Sequence, residues 1–224
     1  MIYTIKNECL TIKVNSLGSE LISAKDIGGS EYIYQPSDLW IGQAKNLFPN
    51  VGMVKDDYIV AGGREYPLMK HGFAKDCEFE LLNITKNTLS MILRSSPYTK
   101  KHFPYSFEFI IHFSLSENTI NQTYEVRNTD RGTIYFGVGA HTGFYICSDS
   151  FLDFGTNREI LEIERLNMSF LTGKKKPFEL RKNTLQLDEH TFDNGGFILD
   201  GWKDYKLCLG SSKRNDSVIV DFEG

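Results

Sequence analysis

Phe107, Phe109, Ile111, Phe113 and Leu115 alternate with Glu108, Ile110, His112 and Ser114. A period of two places the first set on one face of a strand and the second set on the other. Ser116-Glu117-Asn118-Thr119 follows as a turn, and residues 120–127 alternate again. The two runs predict an antiparallel hairpin. A second turn, residues 128–132, leads into a further extended run, 133–141. Upstream, residues 10–15 and 20–25 flank Ser16-Leu17-Gly18-Ser19, and residues 58–61 and 64–68 flank Gly62-Gly63. Helical periodicity is nearly absent. Residues 158–165 alternate Ile with Glu and are read as a strand, a short helix being the other possibility. Strands at this spacing predict an all-β fold, a large antiparallel β-sandwich. No linker, repeat or low-complexity stretch interrupts the chain, so one domain over residues 1–224 is expected. The last alternating run, 217–222, ends on the turn-like pair Glu223-Gly224. An apolar strand needs a partner on its edge. The pattern therefore predicts that further C-terminal strands belong after Gly224.

The chain has 224 residues, of which 41% are hydrophobic and 24% charged, which suits a globular protein with one sizeable core. With 25 basic and 29 acidic residues the net charge is −4, so no electrostatic footprint for nucleic acid is visible. The longest basic run, Lys174-Lys175-Lys176-Pro177, reads as a solvated loop. No apolar stretch approaches the roughly 18 residues of a membrane span. The start of the chain lacks the charged and apolar regions of a signal peptide. A cytoplasmic location is expected. Cys9, Cys77, Cys147 and Cys208 lie far apart, which predicts free thiols and no zinc-type metal site.

Gly137-Val138-Gly139-Ala140-His141-Thr142-Gly143 superficially has the look of a dinucleotide-binding loop. The spacing is Gly-x-Gly-x-x-x-Gly and no helical pattern follows, so that reading is set aside. The strand period is more informative. It places Ile134, Phe136, Val138 and Ala140 on a core face and Tyr135, Gly137, Gly139 and His141 on the other. Glycine within a strand marks close approach of a ligand or of another backbone, and the pattern leaves both open. In His71-Gly72-Phe73-Ala74 the glycine permits a sharp turn that either aims His71 into a cleft or leaves it structural. His102, His112 and His190 carry no such context, and there is no Gly-x-Ser-x-Gly.

Five segments taken together carry more. Leu17-Gly18-Ser19-Glu20-Leu21, Leu47-Phe48-Pro49-Asn50-Val51-Gly52, His71-Gly72-Phe73-Ala74, Phe103-Pro104-Tyr105-Ser106-Phe107 and Gly139-Ala140-His141-Thr142-Gly143-Phe144 resemble, in order and spacing, the aldose 1-epimerase (galactose mutarotase-like) family, in its LacX-like branch. The likeness covers residues 10–145 and is traceable to the end through Thr191-Phe192-Asp193 and the final strand. It implies a galactose mutarotase-like supersandwich. It also implies a monosaccharide or sugar-phosphate substrate, α/β anomer interconversion without cofactor, His141 as general acid, and His71 and Asp193 as sugar contacts. The family's general base is a glutamate in an Ile-Glu-Pro-Trp type motif.

Mutarotation explains the residue types. A base removes the proton of the anomeric hydroxyl while an acid protonates the ring oxygen; the ring opens, the aldehyde rotates and the steps reverse. Three departures stand out. Met53 occupies the place of a family arginine that binds sugar hydroxyls, and methionine cannot donate those bonds. Thr142 replaces the proline after the acid histidine, and the alignment puts the glutamate motif after Gly224. The expected function is an aldose 1-epimerase-like isomerase. The alternative, motivated by Met53 and the glutamate, is a non-catalytic carbohydrate-binding protein on the same scaffold. A third possibility is an interaction sandwich without a ligand.

Overall fold

A computed structural model describes residues 1–38, 40–155, 160–166, 170–193, 195–200 and 206–222. The chain divides into two compact units, Met1–Tyr145 and Ile146–Gly224. In the first unit the strands are β1 (Ile2–Lys6), β2 (Leu10–Asn15), β3 (Glu20–Asp26), β4 (Ala44–Leu47), β5 (Tyr58–Ala61), β6 (Arg64–Pro67), β7 (Glu80–Ile84), β8 (Thr88–Arg94), β9 (Phe107–Ser116), β10 (Thr119–Asn128) and β11 (Gly139–Thr142). They form a β1-β2-β3 meander, a four-stranded sheet ordered β10-β9-β8-β7, and the pairs β11-β4 and β5-β6. All strand pairs are antiparallel. No α-helix occurs among the described residues.

The predicted hairpin is present, with Thr119 opposite Ser116 and Asn128 opposite Phe107. Its core face is the predicted one: Phe107, Phe109, Ile111, Phe113 and Leu115 are all buried. Leu89, Met91 and Leu93 of β8 stand opposite Phe113, Ile111 and Phe109, so two strands present one continuous apolar face. Ile5, Ile12, Val14, Leu21 and Ala24 of the meander join the same core. Each fully buried side chain of this kind contributes about 1.5–3 kcal/mol. Phe48, fully buried, sits at the centre. Its ring meets those of Phe73, Phe103, Phe107, Phe109 and Phe136 at 4.7–6.2 Å.

A polar knot fixes β4 over this core. Asn46 is fully buried; its Nδ2 donates to the carbonyls of Gly18 and Ser19, and its Oδ1 accepts from Tyr124 Oη at 2.7 Å and Gln122 Nε2 at 2.8 Å. All the amide's hydrogen-bonding groups are engaged, which is what makes its burial tolerable. Burial pushes the Tyr124 phenol well above its ordinary value.

One predicted element is shorter than expected. Of the run 133–141, only its last residues form a strand, β11, which pairs with β4. Among the described residues, 133–138 have no ladder partner, so no ladder imposes the pleat there. Ile134 and Val138 do pack against the core, but Phe136 is 44% exposed and Ala140 is exposed.

The second unit holds β12 (Phe151–Asp153), β13 (Leu161–Leu166), β14 (Phe170–Pro177), β15 (Thr184–Gln186), β16 (Leu199–Asp200), β17 (Lys206–Gly210) and β18 (Val218–Asp221). They build two antiparallel sheets, β15-β12-β17-β18 and β14-β13-β16. The Ile/Glu segment is a strand over residues 161–166, while 158 and 159 lie outside the described residues. The final strand is present and pairs with β17. Glu223 and Gly224 lie outside the described residues.

Candidate active site

His71 sits on backbone that few side chains adopt. Its φ is +67°, and that of Gly72 is +65°. The conformation is fixed from both sides. The His71 N–H donates to the Gly52 carbonyl at 2.8 Å, and the N–H groups of Phe73 and Ala74 both donate to the Phe48 carbonyl. A Cβ on Gly72 would lie 2.2 Å from that same carbonyl oxygen, so only glycine fits. The turn brings the imidazole back over the loop that follows β4, where the Gly52 N–H donates to Nδ1 at 3.1 Å. The Asn50 side chain braces the loop by donating to the Gly52 carbonyl at 2.9 Å. Because Nδ1 accepts, the neutral ring carries its hydrogen on Nε2 and presents it as a donor. Burial pushes the His71 pKa below the ordinary histidine value; the charge of His141, then those of Lys70 and Lys75, push it the same way.

His141 lies on β11, directly opposite Lys45 of β4, whose ammonium pairs with Glu20 at 3.6 Å. Its ring stands 5.5 Å from that of His71, nearly edge-on at 73°. Among the described residues, neither ring nitrogen of His141 has a hydrogen-bond partner. On its other side the Trp40 indole lies 5.5 Å away, tilted by 49°, and Trp40 in turn stacks on Tyr34. Sequence reasoning passed over Trp40. The one signal was a large aromatic residue two positions before Gly42 in a turn-rich segment.

The two predicted histidines are thus brought together from segments seventy residues apart in the chain. The glycines beside His141 have a specific role. A Cβ on Gly139 would meet the Val51 side chain at 3.2 Å, one on Gly137 would meet the Val51 nitrogen at 3.4 Å, and the Gly137 N–H donates to the Pro49 carbonyl at 2.7 Å. At Gly137 the close neighbour is the backbone of residues 50 and 51, and at Gly139 it is the Val51 side chain. Met53 follows Gly52 directly and is 39% exposed. Asp193 belongs to the second unit, where its carboxylate faces His190 Nδ1 at 3.0 Å.

The remaining histidines are committed elsewhere. His102 Nδ1 meets the Pro67 carbonyl at 2.8 Å. His112 is held between Ser90 Oγ at 2.8 Å and Glu125 Oε2 at 3.1 Å. No group of three or more His, Cys, Asp or Glu that could hold a metal occurs among the described residues. A cavity of about 420 Å³ in the first unit, lined by Glu78, Glu80, Arg94, Ser95 and Tyr98 among others, includes none of the predicted site residues. All four cysteines are free. No helix among the described residues is long and apolar enough to cross a membrane.

The fold that carries this pair is a galactose mutarotase-like β-sandwich. A galactose mutarotase related enzyme from Lactobacillus acidophilus superposes with a TM-score of 0.92 at 27% identity, over 98% of this chain and 76% of that one. A galactose mutarotase-like protein from Lactobacillus casei superposes with a TM-score of 0.93 at 24% identity, over 99% and 79%. In sequence, the plasmid and chromosomal LacX proteins of Lactococcus lactis subsp. lactis are 29% and 28% identical to it. Each match spans 100% of this chain and 80% of the relative. The aldose 1-epimerase family profile matches residues 1–220, and the chain belongs to that family.

Proposed function

We propose that this protein interconverts the α and β anomers of a hexose or hexose phosphate by general acid/base catalysis, with His141 as the acid. The carrying observation is the pair itself: two imidazoles 5.5 Å apart, one with a nitrogen already spent on backbone and the other with both nitrogens uncommitted among the described residues. That asymmetry supports two roles. His71, biased toward its neutral form, donates its Nε2 hydrogen to a sugar oxygen. His141 gives a proton to the ring oxygen as the C1–O bond breaks, and takes it back when the ring recloses. The proton of the anomeric hydroxyl goes to a carboxylate, which the family supplies from its glutamate motif; none of residues 1–224 is assigned that role here. Asp193 is kept as a sugar contact on the family resemblance alone. The uninterrupted family match over residues 1–220 supports reading the chain as one domain. The free thiols support a reducing, cytoplasmic setting.

The test is the initial rate of mutarotation of fresh α-anomers, followed by polarimetry and corrected for the spontaneous reaction. Removing a general acid costs ~10²–10⁴ in rate, so His141→Asn should lower kcat by that order with little change in binding. His71→Asn should weaken both. A folded His141→Asn protein with near wild-type kcat would contradict the proposal.

Met53 favours a second reading, a sugar-binding protein without turnover, because methionine offers no hydrogen-bond donor where the family places arginine. On that reading calorimetry shows sugar binding while polarimetry shows no acceleration. Met53→Arg should tighten binding by up to the ~1.5–3 kcal/mol of a charged hydrogen bond.

A further inference from the structure

An acid must be held in position as well as charged, and catalytic histidines are usually oriented by a hydrogen bond to their second nitrogen. His141 has no such bond among the described residues; two other rings stand beside its own, those of His71 and Trp40, each with its centroid 5.5 Å away. Trp40 is itself locked. A Cβ on Gly42 would fall 2.6 Å from its Cζ2, and one on Gly143 would fall 2.5 Å from its Cζ3, so the indole lies in a slot between two glycine backbones. Tyr34 closes the slot by stacking at 5.6 Å. The backbone is tied round it. Ser37 and Trp40 exchange N–H to carbonyl bonds at 3.1 and 3.2 Å; Gly143 N–H donates to the Gln43 carbonyl at 2.7 Å, and Tyr34 N–H to that of Gly143 at 2.9 Å. Two loops distant in sequence are thus shaped around one indole, and that indole faces the candidate acid.

We propose that Trp40 is the positioning residue of His141, an aromatic wall that sets the imidazole's orientation in place of the missing hydrogen bond. The proposal rests on the acid role argued above. An imidazolium within about 6 Å of an indole centroid is attracted by the ring's negative face, so the contact strengthens when His141 carries the proton it must give. The charged and titratable groups around His141 are Lys45 on the opposing strand, with Glu20 paired to it, and His71; Lys70 and Lys75 act on His71.

Two readouts test this. Protonated imidazole in contact with indole quenches its emission. The chain has two tryptophans, so Trp202→Phe leaves Trp40 as the sole reporter. Its emission should fall at least twofold between pH 8 and pH 5. That step should vanish in His141→Asn and persist in His71→Asn. Emission that is flat with pH, or a step that survives His141→Asn, would overturn the proposal. In kinetics, Trp40→Leu should lose about tenfold in kcat with KM within twofold, and Trp40→Phe should recover most of the loss. A KM that rises in proportion would make Trp40 a substrate contact and would also overturn it. If His141→Asn keeps full kcat, the acid role fails, and the emission titration still decides whether Trp40 holds that ring.

Discussion

Two regions of the first unit each gather a histidine and its polar neighbours, and they do opposite things with them. On the outward face of the four-stranded sheet, Glu80, Arg94, Glu108, Arg127, Glu125, His112 and Ser90 form a ladder linked at 2.6–3.4 Å across β7, β8, β9 and β10. Arg127 first, and His112 second, hold the Glu125 carboxyl below its ordinary range. Ser90, His112 and Glu125 have the residue types of a catalytic triad. Yet Nδ1 faces the serine and Nε2 the glutamate, and Ser90 lies mid-strand, where the ladder occupies the backbone N–H groups that an oxyanion would need. Both nitrogens of that imidazole are spent. At the His71–His141 pair the backbone is held in unusual conformations and ring nitrogens are left over. The difference teaches that chemistry follows uncommitted donors on a rigid frame, rather than the number of polar groups in reach of one another.

The frame is where the largest effect is expected. Phe48 supports the His71 turn through its carbonyl and the core through its ring. Phe48→Ala should cost about 3–5 kcal/mol in chemical denaturation. Its counterpart under the ladder, Ile110, is also fully buried, and Ile110→Val should cost only about 0.5–1.5 kcal/mol. Equal losses would mean that Phe48 carries no more of the frame than Ile110 does.

Next comes the turn. Gly72→Ala puts a Cβ against the Phe48 carbonyl at positive φ, so it should destabilise by more than about 1 kcal/mol, the level at which such glycines are ordinarily missed. It should also disturb the His71 proton resonances in a way that Gly62→Ala, in a turn with open space around it, does not.

His112→Asn should change stability by less than about 1 kcal/mol, because exposed ion pairs contribute little and are screened by salt. It should leave the mutarotation rate within twofold of wild type. A large rate loss would move the chemistry to the outer face.

The smallest effect is a pH slope. The folded-state pKa of His71 is lowered by burial first and by His141 second. The unfolded chain therefore takes up the proton first as pH falls. The stability that this group contributes is present above its unfolded value of ~6.5 and is lost as pH falls through the folded value. His71→Gln should flatten the slope of denaturation midpoint against pH below 6.5. An unchanged slope would show that the ring is not held neutral by its surroundings.

Period-two alternation made the hairpin, the meander and the core face of β9 legible in sequence, because a ladder partner and a buried face enforce the pleat. The same rule failed over residues 133–138, which have no partner strand among the described residues and are tied instead by a hydrogen bond from Gly137 to Pro49. His71 and His141 were legible through their glycine contexts together with the family resemblance. The purpose of Gly137 and Gly139 was not, since alternation cannot tell a ligand from a neighbouring backbone. Trp40 escaped because its role depends on Gly42 and Gly143, which are a hundred residues apart in sequence and meet only at the indole.

The most direct test of the central claim is exchange spectroscopy on an equilibrated aldohexose, in which NMR cross-peaks between the α and β anomeric protons report enzymatic interconversion without a fresh anomer. Wild type and His112→Asn should give matching exchange rates above the spontaneous background, while folded His141→Asn should fall toward background by two orders of magnitude or more. Exchange that survives in His141→Asn, or that disappears in His112→Asn, would contradict the assignment of the chemistry to the His71–His141 pair.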